Sequence, residues 1–161
     1  MMPRIETIGP KKMVGCSARM SFAHNRTGEI FRKFMPRRKE VESRVSEYVF
    51  CVKNFGPGWD FSRFVPDAQF EKWAAVEVSD YDSVPNGMEQ LDVPGGLYAV
   101  FDHKGGPAAA PQTFGYIFGT WLPGSKYAID ARPHFDVIGE KYGDGGPDSE
   151  EERWIPIKSK A

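Results

Sequence analysis

The sequence predicts an α+β fold: two duplicated β-α-β-β units with pseudo-twofold symmetry, one antiparallel sheet, helices on one side and a ligand cleft between the halves. Three observations predict it. Blocks recur in order after roughly eighty to ninety residues: Pro10-Lys11-Lys12-Met13-Val14-Gly15 answers Pro94-Gly95-Gly96-Leu97-Tyr98-Ala99, Ile30 to Pro36 answers Ile117 to Pro123, and Glu71-Lys72-Trp73 answers Glu152-Arg153-Trp154. That period is too long for a solenoid unit and suits two halves of one domain. Strand-like and helix-like apolar runs follow the same order in both halves. With 161 residues, 40% of them apolar and 27% charged, the chain can bury one core of its own.

Each element has a local cause. Met13 to Met20 is short, apolar and rich in small residues, hence a strand. Asn25 or Thr27 caps a helix carrying Ile30, Phe31, Phe34 and Met35 on one face. Pro36 kinks it or splits off a second helical segment, Arg38 to Val45. Tyr48 to Phe55 is a strand ended by Gly56-Pro57-Gly58. Residues 59 to 68 form a loop, Phe70 to Ser79 a strand and 80 to 92 a turn-rich connection. In the second half, Gly96 to His103 is a strand, Lys104 to Ala110 a loop and Gln112 to Leu122 a helix stopped at Pro123. Phe135 to Tyr142 and Glu151 to Ile157 are the last strands. The halves span about 5–79 and 92–158 of a single domain covering 1–161, because three strands and a helix bury too little core alone.

Composition excludes several functions. A net charge of −1 argues against direct nucleic-acid binding through phosphate neutralisation. No run approaches the 18 or so apolar residues that span a bilayer. The first ten residues carry Arg4 and Glu6 and no apolar core, so they are not a signal peptide. Cys16 and Cys51 lie in apolar strands and read as buried thiols, which sets a cytoplasmic default. His24, His103 and His134 lack metal-ligand spacing, and no phosphate loop or nucleophile elbow is present, so no metal or cofactor is expected. Aromatic residues make up 14% of the chain, more than such a core requires, so some rings are expected at a ligand surface.

Strand parity sorts the faces. Ala74, Val76 and Val78 suit the underside of a helix; Glu71, Trp73, Ala75 and Glu77 take the other face. In the last strand, Arg153, Ile155 and Ile157 oppose Glu152, Trp154 and Pro156. Both halves thus set a carboxylate two residues from a tryptophan, away from the helices. An indole offers a cation an attractive face worth roughly 0.5–2 kcal/mol, and the carboxylate offers charge. The alternative is an edge-strand charge beside a core ring. Val14, Cys16 and Ala18 read as core, which turns Gly15, Ser17, Arg19, Phe101 and His103 toward the cleft. Gly115 and Gly119 either let the second helix approach the sheet or leave room beside the cleft.

The runs Leu97 to Gly105, Phe114 to Pro123 and Ser149 to Ile157, with Trp73 to Val78 as first-half counterpart, resemble the GyrI-like small-molecule-binding domains, also called AraC-type effector-binding domains. The resemblance covers about residues 5–158. It implies the duplicated fold and a cleft at the junction, where multidrug-sensing members hold lipophilic cations with a buried glutamate and aromatic rings. By position that glutamate falls on Glu152, beside Trp154. Some stand-alone members open strained cyclopropane rings with a cleft glutamate. Arg153 stands where an apolar residue is common, and Lys72 matches it in the first half, as a snorkelling stem would. His103 stands where relatives often have tyrosine. No helix-turn-helix fits before residue 5 or after 158, so a stand-alone member is expected.

The leading expectation is a binding protein for an amphipathic, aromatic small molecule, cationic or neutral, which it senses or sequesters. Its ligand-binding residues are Trp73, Glu77, Phe101, His103, Glu152 and Trp154. The second is a hydrolase of reactive electrophiles, with Glu152 as the catalytic group and Glu77 or Glu71 across the cleft. The third is a module that binds a protein partner.

Overall fold

The computed structural model describes residues 2–61, 63 and 65–161. Among these, nine strands build one antiparallel sheet: β1 (Arg4–Ile8), β2 (Lys11–Met20), β3 (Val49–Asn54), β4 (Phe70–Val78), β5 (Glu89–Val93), β6 (Gly96–Lys104), β7 (Tyr127–Ile129), β8 (His134–Ile138) and β9 (Glu150–Ser159). The order is β1-β6-β9-β8-β3-β4-β2-β5, with β7 on β9. The triplets β2-β4-β3 and β8-β9-β6 mirror each other about the β3–β8 seam. The outer strands cross over: β1 extends the second triplet by pairing with β6, and β5 extends the first by pairing with β2.

Helix α1 (Thr27–Phe34) starts where the Asn25 side chain accepts the Thr27 N–H at 2.9 Å, and it buries Ile30 and Phe34. Pro36 sits in a following 3-10 turn, Met35–Glu40. The expected helix from Arg38 to Val45 does not form. Val41 is already extended, the Val45 N–H donates to Glu77 O and the Ser79 N–H to Ser43 O. The backbone groups that a helix would have used internally are taken by the end of β4. Helix α2 (Ala110–Tyr116) runs on through a π-helical turn, Ile117–Trp121, and a last turn, Leu122–Gly124, that includes Pro123. A β-carbon at Gly115 or Gly119 would meet nothing within 4 Å, so neither glycine serves a close approach to the sheet.

Three clusters form the core. Val14, Cys16, Ala74, Val76 and Val78 lie under α1 with Ile30 and Phe34. Ala99, Phe101, Ile155 and Ile157 lie under α2 with Ile117. The third comes wholly from strands and fills the opposite face: Met13, Phe50, Val52, Trp73, Ala75, Val93, Tyr98, Val100, Phe135 and Trp154. Both cysteines are buried and unpaired.

Candidate ligand-binding site

The strand-lined face is a floor of rings. Phe135 stacks on Trp154 at 5.3 Å and 17°, Tyr98 meets Trp154 at 5.8 Å, and Phe50 meets Phe135 at 5.7 Å. Alternation puts these rings on one face of β3, β6, β8 and β9, so each strand adds one. Above them lies a hollow of about 290 Å³, walled by Tyr48, Phe50, Phe135 and Trp154 with Glu77 and Glu152. That is near the lower end of the roughly 300–1,000 Å³ range of small-molecule sites. Its apolar wall and its two carboxylates, of which Glu77 is paired with Lys11 in the same lining, suit a body that is mostly apolar and carries a single positive charge.

The Glu-x-Trp repeat has a common geometry. The Trp154 indole N–H donates to Glu152 Oε1 at 3.1 Å, and the Trp73 indole N–H to Glu71 Oε1 at 2.6 Å. The other Glu152 oxygen accepts from Arg4 Nη2 at 2.9 Å, leaving the side chain 34% exposed. The Arg4 guanidinium carbon stands 5.7 Å from the Trp154 ring centroid. Across the hollow, Lys11 Nζ pairs with Glu77 at 3.2 Å.

The structure brings Glu77, Glu152 and Trp154 together around the hollow. Trp73 belongs to the same aromatic cluster, 4% exposed, outside the wall of the hollow. Phe101 and His103 do not face this side, which corrects the sequence reading. Phe101 is fully buried under α2, 5.2 Å edge-on to Trp121. His103 is buried beside it, with Nδ1 2.6 Å from Thr113 Oγ1 and Nε2 2.7 Å from Gly106 O. Tyr98, Ala99, Val100 and Phe101 are all buried, so alternation in β6 carries no polarity to read. The repeat compounds the error. It sets Val14 against Tyr98, whereas Ser17 opposite Trp73 answers Val100 opposite Trp154. A slip of one residue turns every side chain over.

Sequence reading missed Arg4, Lys11, Tyr48, Phe50, Tyr98 and Phe135. Phe50 and Phe135 lay in expected strands, on the parity shared with Val52 and Val137, and that alternation was the signal available. Arg4 and Lys11 gave none, because their partners come from distant strands.

Arg153 does not snorkel. On the helix side of the seam it is 4% exposed, with Nη1 3.2 Å from Asp136 and Nη2 3.3 Å from Glu151. Lys53 shares Asp136 at 3.4 Å, and the Phe114 ring lies 4.8 Å from both cations. Burial pushes the Glu151 carboxyl up to about 7, with the Asp136 charge adding to it. Burial alone would raise Asp136 as well, but Lys53 and Arg153 hold it below its usual value. His134 is driven down to about 3 by burial and by Lys53.

Comparison with known proteins agrees with this architecture. The family model for the GyrI-like small molecule binding domain matches residues 1–158, and the chain belongs to that family. It is 27% identical over 134 residues to the transcriptional regulator BrlR of Pseudomonas aeruginosa, covering 81% of this chain and 46% of that protein. The chain thus spans about half the length of that curated relative. The fold is shared with SAV2435 bound to tetraphenylphosphonium (TM-score 0.67, 14% identity, 98% of this chain and 94% of that one). It is also shared with a hydrolase from Listeria innocua (TM-score 0.57, 11% identity, 98% and 92%). No described helix is long and apolar enough to cross a membrane.

Proposed function

We propose that the chain is a cytoplasmic receptor for an amphipathic aromatic cation, which it senses or sequesters, with both halves of the repeat contributing to one site. The observation that carries this reading is the placement of Glu152 and Trp154, joined by a hydrogen bond, on the wall of a ring-lined hollow. The ligand's rings lie against Phe50, Phe135 and Tyr48, and its charge lies toward Glu152, with Glu77 opposite. Trp73 backs the floor. The likeness to a fold that carries tetraphenylphosphonium, and to a transcriptional regulator, supports the class of ligand and a signalling role. Both Glu152 oxygens accept hydrogen bonds, which favours holding a charge over activating water.

The test is a tryptophan-fluorescence titration with tetraphenylphosphonium, native protein against Glu152→Gln. Saturable quenching that weakens tenfold or more in the variant, about 1.4 kcal/mol, supports the receptor. Equal affinity in the two proteins overturns it. Turnover of an electrophilic substrate that Glu152→Gln abolishes would establish the hydrolase instead, and a stoichiometric complex with a protein and no small-molecule binding would establish an interaction module.

A further inference from the structure

The charge on the wall of the hollow is already met from within the chain. Arg4 reaches from β1, which pairs with β6, and donates to Glu152 Oε2 at 2.9 Å while its guanidinium stands 5.7 Å from the centre of Trp154. The contact joins residues 148 apart in sequence. Arg4 is about half exposed and lies outside the wall of the hollow, so it approaches Glu152 from the rim while the apolar space beneath stays open. Its second acceptor, Glu6 at 3.3 Å, gives it a place to go when it leaves.

We propose that Arg4 is an intramolecular competitor for the ligand's charge, and that the ligand is a planar cation bearing N–H donors, of the amidinium or guanidinium class, on an apolar body. This rests on the receptor reading and specifies its substrate class. A guanidinium is flat and delocalised, bonds a carboxylate through its N–H edge and is attracted to an aromatic face. Glu152 and Trp154 supply that pair of partners to Arg4. A ligand with the same head group takes over both contacts and adds an aromatic body against Phe50 and Phe135, which Arg4 lacks. A cation without N–H donors takes only the aromatic contact and the through-space charge, so it gains less when Arg4 is removed. The neighbouring pair Lys11–Glu77 keeps the opposite wall neutral, so a single positive charge suffices in the ligand. Arg4 therefore sets a threshold: head groups that bond Glu152 better than a guanidinium half in solvent are admitted, and weaker ones are turned away.

The experiment compares native protein, Arg4→Ala, Arg4→Lys and Glu152→Gln, titrated with benzamidinium, neutral benzamide and tetraphenylphosphonium. Affinity is read by calorimetry, and the Trp154 indole N–H is followed by NMR. Arg4→Ala is expected to bind benzamidinium about threefold to tenfold more tightly, the scale of a half-exposed ion pair with one aromatic contact. Tetraphenylphosphonium should gain less and benzamide should not change, while Arg4→Lys, which keeps the charge without the planar N–H edge, should fall between native and Arg4→Ala. The indole resonance should move as benzamidinium replaces Arg4. Benzamidinium affinity within twofold of native in Arg4→Ala, weaker binding there, or no benzamidinium binding while tetraphenylphosphonium still binds each overturns the proposal and leaves the receptor intact. Tetraphenylphosphonium binding untouched by Glu152→Gln overturns the receptor reading and this inference with it.

Discussion

Replacing Glu151 by Gln should turn a nearly pH-independent stability into one that rises with pH. The Glu151 carboxyl, 7% exposed among Asp136, Arg153, Lys53 and Lys72, is raised from the usual 4.5 to about 7. It is protonated in the fold where the unfolded chain has already ionised. Its stabilisation is therefore complete below about pH 4.5 and is lost as pH rises through about 7. His134 has the opposite sign. Lowered from 6.5 to about 3, it is neutral in the fold, so its contribution is complete above pH 6.5 and lost as pH falls toward 3. His103, depressed by burial, acts in the same direction as His134. Each full mismatch contributes a slope of about 1.4 kcal/mol per pH unit, and between pH 4.5 and 6.5 the Glu151 and His134 slopes oppose and largely cancel. Glu151→Gln removes the falling slope and leaves His134 to raise stability by roughly 2–3 kcal/mol across that window. Urea unfolding of both proteins at pH 4.5, 5.5 and 6.5 reads this directly. A variant whose unfolding free energy stays flat, or one that rises in parallel with the native protein, would refute the reasoning.

Phe101→Ala should destabilise the protein by about 3–5 kcal/mol, since the ring is fully buried under α2 against Trp121. Tetraphenylphosphonium affinity should stay within twofold of native; a loss of affinity at native stability would put Phe101 back in the site. Gly15→Ala should cost about 1–3 kcal/mol or more in thermal unfolding. Its β-carbon would meet Ala74 O and lie 2.6 Å from Ala75 Cα, so β2 and β4 would have to part. Native stability in that variant would mean the two strands separate there freely.

The fold was legible where periodicity was long and one-sided. Strands β2, β3, β4, β6 and β9 and helices α1 and α2 fall close to their expected positions. Of the strands that escaped, β1 and β5 are five residues of mixed polarity at the edges of the sheet, and β7, Tyr127–Ile129, is only three residues, too short to show an alternation. In the site, Glu152 and Trp154 stood out because the same pair recurs as Glu71 and Trp73 at the same parity. Phe101 and His103 were misplaced because β6 is apolar on both faces, so neither side of the strand advertised itself. The Arg153–Asp136 and Arg4–Glu152 pairs depend on which strands become neighbours, and that order is set by the whole sheet.

The crossover of the outer strands has a consequence for synthesis. β1 precedes every other strand of the sheet in chain order, yet it docks on β6 and completes its charge pairing on β9, the last of the nine. β9 also separates β6 from β8, so a nascent chain that lacks residues 150–159 has no strand to join β6 to β8 and leaves Arg4 with Glu6 alone. Long-range pairing of this kind forms late. The ring-lined hollow is therefore assembled only once β9 is in place, and a chain clipped before Glu150 should be handled by the cell as unfolded protein.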